Sequence, residues 1–377
     1  MNFDYTEEQQ LLAESVRRFM ARDYTFESRK KVAISQGGIS DTVWKTFAEM
    51  GLLGLAVPAE HGGFGGGAVD LMSTMEAIGE ALVVEPFLPT VLGARLVAAA
   101  GSDAQQAAIL PRVAEGTLRL AFASTEEHSR YDLARIATKA RRDGDGWVLD
   151  GDKRVVLGGP QAGLLIVSAR TAGSGNDAVG VSLFAIEPGA AGIARNDYRT
   201  FDGLRACDLQ LKGVRVKADA LLGAEGAQLP AIEACVDFAI ALLCAEAVGA
   251  MRYANETTLE YLKTRKQFGV PIGAFQALQH RMVDMVITCE QARSMASLAC
   301  ARVDVERDPR ERARAASAAK LKIADSCRHI SQESVQLHGG MGMTEELKVS
   351  HTFRRLTMIA QQFGDADHHL ARLAALA

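Results

Sequence analysis

At 377 residues the chain is long enough for about two or three domains with a sizeable core, and its 48% hydrophobic and 23% charged content is that of an ordinary globular protein. A net charge of −4 and an isoelectric point near 6.1 give no electrostatic basis for binding nucleic acid. Cysteines 207, 235, 244, 289, 300 and 327 include no CxxC pair, which points to free thiols in a reducing compartment and away from a disulfide framework or a zinc site. The opening MNFDYTEEQQLLAESVRRFM lacks a basic segment leading into an apolar one, so no signal peptide is expected. No uninterrupted apolar run reads as a membrane span, and the expected location is cytoplasmic.

Residues 1–117 read as a helical domain. Thr6 to Gln9 form a capping box, and Leu11, Leu12, Val16, Phe19 and Met20 follow at helical spacing. A second helix is predicted from Asp41, with Val43, Phe47, Met50 and Leu52 on its apolar face. PAEHGGFGGG (58–67) breaks the pattern with five glycines, and helical spacing resumes from Ala68. Over 118–225 the period shortens to two. LRLAFAST, RIATKARRDGDGWVLDGDKRVVL, LLIVSART and VGVSLFAIEP read as strands, with DGDG (143–146) and GSGND (173–177) as turns. Residues 226–377 return to long helices rich in Ala, Leu, Met and Arg, and the charged run VERDPRERARA (305–315) reads as a solvated turn and helix start. The architecture is therefore α+β: an N-terminal helical domain, a middle barrel-like or sandwich β domain, and a C-terminal four-helix bundle.

Two stretches of the bundle could carry chemistry. YLKTRKQFGVPIGAFQALQHRMVDM places Arg265, Phe268 and Gln276 around a Gly-Val-Pro interruption, and SVQLHGGMGMTEELKVSHTFRR carries Gln336 and the pair Gly339-Gly340. A glycine pair between helices lets backbone N–H groups approach a phosphate, and an arginine supplies a fixed cation to a diphosphate. Singly, each reads more readily as a turn or core contact. Together, with VPAEHGGFGGG and with STEEHSRYDL and GWVLDGDKRVVL where the family has T-E-P-x-A-G-S-D and L-x-G-x-K-x-W-I-T, they resemble the acyl-CoA dehydrogenase family along essentially the whole chain. The resemblance implies FAD, an acyl-CoA substrate, a dimer or tetramer, and electron transfer onward to an electron-transfer flavoprotein. It also implies α,β-dehydrogenation, in which a glutamate removes the α-proton and the β-hydride goes to the flavin. Arg265, Phe268, Gln276, Gln336, Gly339 and Gly340 match the set that the family donates to the neighbouring subunit's FAD. Thr125 matches a cofactor-binding position within the subunit.

Other positions depart from the family pattern. Where the family carries its Y-E-G-T glutamate, this chain has Phe363, which cannot accept a proton. The alternative base position on an earlier bundle helix falls on Ala239, beside Ile240. The tryptophan expected beside the flavin is Val155, the threonine two places on is Leu157, and the Gly-Ser of the first β-domain motif is Arg130-Tyr131. The losses fall on the side contributed in cis, while the set donated in trans survives. That asymmetry leads us to expect a heteromer in which a homologous subunit supplies the base. The stretches YLKTRKQFGVPIGAFQALQH and FGDADHHLARL are similar to the small subunit of pimeloyl-CoA dehydrogenase. A self-sufficient enzyme with a displaced carboxylate, Asp365 or Asp237, and a non-catalytic acyl-CoA-binding or subunit-binding scaffold stay open as alternatives.

Within QQFGDADHHL (361–370), Asp365 and His369 are spaced to share a metal, but further ligands are not evident and no metal is expected. Asp365 as a helix N-cap with Asp367 in the first turn accounts for the same residues. A contact with cofactor or substrate is the third reading. Arg130, with Tyr131 beside it, could meet a carboxylate or phosphate of the substrate, or pair on the surface with Glu126 or Glu127. Asp237 and Glu246 lie on the helix that would border the acyl chain; a carboxylate there calls for a partner, expected at a subunit interface.

Overall fold

The structure, a computed structural model, describes residues 6–376. The chain groups into two compact units, one of residues up to 30, 68–83 and 240–377, the other of residues 31–67 and 84–239.

Among the described residues six α-helices precede the sheet: α1 (Glu7–Asp23), α2 (Phe26–Ile34), α3 (Asp41–Glu49), α4 (Ala68–Ala81), α5 (Phe87–Ala100) and α6 (Asp103–Ala114). Thr6 Oγ1 accepts from Gln9 N–H while the Gln9 side chain accepts from Thr6 N–H, so the capping box forms as read. Ser40 caps α3 and turns Val43, Trp44 and Phe47 into the core. Helix α2 was not expected: its sequence FESRKKVAI presents no continuous apolar stripe to give it away. In the glycine-rich break, a short turn at Ala59–His61 leads to Gly63, where a Cβ would overlap the Val57 carbonyl.

The middle domain is one mixed sheet of β1 (Leu120–Ala123), β2 (Lys139–Asp143), β3 (Gly146–Leu157), β4 (Leu164–Arg170), β5 (Val181–Ile186), β6 (Ile193–Arg199), β7 (Arg205–Val216) and β8 (Leu221–Leu222). The order is β6-β7-β3-β2-β4-β5-β8, and the sheet branches at β4, which pairs in parallel with both β1 and β2. DGDG closes the β2–β3 hairpin, with Gly144 at φ +58°. Strands β6 and β7 both lie outside the runs read as strands; most β6 side chains face solvent, and its pairing with β7 defines it. Trp147 meets Phe184 edge to face at 5.4 Å in the sheet's core, among Leu149, Val156, Leu165 and Val167.

The C-terminal helices are α7 (Leu229–Thr264), α8 (Gln276–Val305), α9 (Pro309–His338), α10 (Lys348–Gln361) and α11 (Ala366–Ala375), with a small hairpin of β9 (Lys266–Gln267) and β10 (Val270–Pro271) before α8. Asp308 caps α9, so the charged run is the turn and helix start it was read as. Helix α7 corrects the reading that no segment could span a bilayer. By length and composition it could, but 94% of its most apolar window is buried inside the fold, as in a core helix.

Where α4 meets α7, glycines let the backbones touch. A Cβ at Gly79 would overlap the Glu246 carbonyl, and one at Gly249 would overlap the Glu76 carbonyl. Gly249→Ala gains about 1 kcal/mol of helix propensity, yet backbone carbonyls cannot rotate aside as a side chain can. The variant is expected to lose on the order of 3 kcal/mol in urea unfolding. A stability at or above wild type would show that the helices separate freely.

Candidate functional site

The turn between α10 and α11 carries the residue at the expected base position. Phe363 has φ +60° and Gly364 φ +127°. A left-handed phenylalanine costs about 1–2 kcal/mol and persists only where its surroundings impose it. Here two buried side chains do so. Lys320 of α9 donates to the carbonyls of Ala360 (3.2 Å) and Gly364 (2.6 Å), and His369 Nε2–H of α11 donates to the Phe363 carbonyl at 3.1 Å. A Cβ at Gly364 would strike the His369 ring. Sequence reasoning missed Lys320, because nothing in AAKLKIADS distinguishes a buried lysine from a surface one.

With Nε2 donating, His369 Nδ1 is a buried acceptor with no hydrogen-bond partner among the described residues. Burial, reinforced by the Lys320 cation, pushes its pKa down to about 3. Burial also lowers His338 and His351. Below an unfolded-state value of 6.5 the unfolded chain takes up protons that the folded imidazoles refuse. Stability is therefore fully present above pH 6.5 and falls as the pH drops from there towards 3. His369 alone is expected to cost up to about 1.4 kcal/mol per pH unit in that window. Urea midpoints measured from pH 7.5 down to 4.5 check this: His369→Gln should flatten the slope, and an unchanged slope would rule the residue out as its source.

Asp365 is the N-cap of α11, its Oδ1 accepting from His368 N–H at 2.8 Å, with Asp367 in the first turn. Among the described residues no cluster of three or more His, Cys, Asp or Glu could hold a metal. Asp365 and Asp367 also line a pocket of about 370 Å³ with Asp325, Arg328 and Phe353. Glu246 finds its partner within the chain and not at a subunit interface: Arg355 of α10 grips it through two bonds of 2.5 and 2.8 Å, both groups buried. Asp237 is 1% exposed on α7, and Ala239 is fully buried.

Arg265, Phe268, Gln276, Gln336, Gly339 and Gly340 all lie at the surface of the protomer. Phe268 is 92% exposed at the tip of the β9–β10 hairpin, where it and Gly269 both have positive φ. A Cβ on Gly339 or Gly340 would meet nothing within 4 Å, so their backbone is open to an incoming group. One guanidinium, two carboxamides and an open glycine backbone suit the diphosphate and base of a dinucleotide.

In the β domain, Thr125 is exposed and its carbonyl accepts from Arg154 N–H at 2.8 Å. Next to it Glu126 is buried. Burial pushes its carboxyl up, but Lys153 Nζ at 2.7 Å and the N–H groups of Ala137 and Thr138 outweigh that and hold it below its ordinary value. Glu126 and Glu127, considered as surface partners of Arg130, are engaged by Lys153 and Arg154 respectively. Arg130 sits at φ +46° with its guanidinium 5.8 Å from the Tyr131 ring centre. Val155 is 47% exposed at φ +51°, on a β3 bulge between Lys153 and Val156; its N–H leaves the ladder and donates to Asp208 Oδ1, which also accepts from Tyr198. Leu157 is half-buried.

Residues 6–117, 121–214 and 229–376 match the acyl-CoA dehydrogenase N-terminal, middle and C-terminal domains. Acyl-CoA dehydrogenase FadE12 of Mycobacterium tuberculosis is 32% identical over 370 residues, covering 95% of this chain and 93% of its own. The solved Tcur3481-Tcur3483 steroid ACAD superimposes with a TM-score of 0.87 at 31% identity, covering 98% of this chain and 97% of that one. The ChsE4-ChsE5 complex of Mycobacterium tuberculosis does so at 0.89 and 25%, covering 100% and 98%.

Proposed function

This chain belongs to the acyl-CoA dehydrogenase family, and on that premise we propose that it is the base-lacking subunit of a heteromeric enzyme that dehydrogenates acyl-CoA thioesters. The family fold is FAD-dependent. The observation that carries the proposal is Phe363: the turn is gripped by Lys320 and His369, yet the side chain it presents has no proton acceptor. Asp365, one displaced candidate, already caps α11. Asp237, the other, lies buried on α7.

Bound FAD would supply the hydride-accepting chemistry of the dehydrogenation. Arg265 would neutralise the diphosphate of the neighbouring subunit's FAD, while the open backbone at Gly339-Gly340 would let that FAD approach closely and the Gly340 N–H and the amides of Gln276 and Gln336 would bond its adenine-side half. Phe268, 92% exposed and touched edge-on by Phe275, would pack against that subunit. Thr125 would hydrogen-bond the cofactor in cis, and Arg130, Tyr131 and Asp237 would face the substrate. A homologous subunit would supply the carboxylate, in a dimer or tetramer that passes electrons to an electron-transfer flavoprotein. The similar Tcur3481-Tcur3483 steroid ACAD and ChsE4-ChsE5 complex each pair two proteins, which supports a two-chain assembly. The small-subunit resemblance to pimeloyl-CoA dehydrogenase supports the same assembly. Six buried free thiols suit a reducing compartment such as the cytoplasm.

The test is turnover of acyl-CoAs with an artificial electron acceptor. The chain alone should be inactive, and co-expression with a base-bearing homologous subunit should give activity. Brisk turnover by the chain alone would overturn the proposal.

A further inference from the structure

The donor set reaches the surface from two separate helix ends. Arg265 follows α7, and Gly339-Gly340 follows α9. A ring stack joins those ends. Tyr261, in the last turn of α7, stacks on His338, the last residue of α9, with ring centres 4.5 Å apart and planes inclined by 28°. His338 is buried, and its Nδ1–H donates to the Ser334 carbonyl at 2.8 Å, which fixes the ring against its own helix. The Tyr261 carbonyl accepts from Arg265 N–H, and the Arg265 carbonyl accepts from Ile272 N–H, each at 2.8 Å. The arginine's backbone is thus tied one helical turn from the stack. On the other side, Gly339 N–H bonds back to the Gln336 carbonyl directly after His338. Each ring therefore stands within one turn of a group that would touch the dinucleotide.

Recognition of a diphosphate by a guanidinium and backbone N–H groups requires their spacing to be held within about half an ångström. Helix ends fray, and the residues on either side of Arg265 are exposed. We propose that Tyr261 and His338 are positioning residues that fix Arg265 relative to Gly339-Gly340, and so set the affinity of the dinucleotide site that this chain completes on its neighbour. The inference rests on the reading that these residues grip the neighbour's FAD.

The experiment measures the FAD dissociation constant of the assembled protein by equilibrium dialysis. Tyr261→Phe keeps the ring and should stay within about twofold of wild type. Tyr261→Leu removes it and should weaken FAD about tenfold. His338→Asn keeps a donor for the Ser334 carbonyl but loses the ring, and should match Tyr261→Leu; it serves as the second probe should the leucine variant fail to fold. On an Arg265→Gln background, Tyr261→Leu should add less than it does alone, because a positioning residue acts through the group it positions. Wild-type affinity in folded Tyr261→Leu or His338→Asn, or full additivity with Arg265→Gln, would overturn the proposal. Turnover by the chain alone would overturn the base-lacking reading and leave these affinities as they are. An assembly that takes up no FAD would overturn both.

Discussion

Phe363→Glu is expected to give this chain a working base. The substituted residue inherits a backbone already bent into the left-handed region, with its carbonyl held by His369 and the flanking carbonyls by Lys320. Glutamate meets the same backbone penalty as phenylalanine, so the turn should keep its shape. A positioned general base is worth about 10²–10⁴ in rate. The measurement is exchange of the acyl-CoA α-proton for deuterium in the FAD-loaded protein, which reads proton abstraction without any electron acceptor. Phe363→Glu should exceed both wild type and Phe363→Gln by a factor in that range. Equal exchange in the Glu and Gln variants would mean that residue 363 does not face the α-carbon, and the base-lacking reading would lose its support.

Glu246→Ala is expected to cost about 3–5 kcal/mol, because it removes the carboxylate that grips the buried Arg355 guanidinium through two bonds. The charge, not the lost contact, dominates the cost. Removing both members, as Glu246→Met with Arg355→Met, should therefore be milder than the single change. Urea midpoints of the two single variants and the double variant form the cycle. A Glu246→Ala protein within about 1 kcal/mol of wild type would show that water reaches the pair. The carboxylate's role in this account is structural, so it is not a displaced base despite lying on the helix read as bordering the acyl chain.

The legible parts of this protein share a length scale. Thr6 and Asp365 were recognisable as caps because a cap bonds only two or three residues along. The DGDG hairpin was equally local. Helix α2 was missed because its sequence shows no apolar stripe, and β6 because its mostly exposed residues owe their conformation to β7. In the candidate site, the family motifs identified which residues to inspect, including Phe363 at the expected base position. They carried no information on how that residue is held.

Sequence alone determined the helix–sheet–helix order, the caps at Thr6 and Asp365 and the presence of a phenyl ring at position 363, since each is written in residue identity or in spacings of a few positions. Tertiary structure decided that Glu246 pairs with Arg355, 109 residues away, that Lys320 secures the Phe363 turn, that Val155 leaves its ladder for Asp208, and that Tyr261 meets His338. Those outcomes depend on which distant groups packing brings within bonding distance once water is excluded. A buried charge must find its partner wherever the fold has placed one.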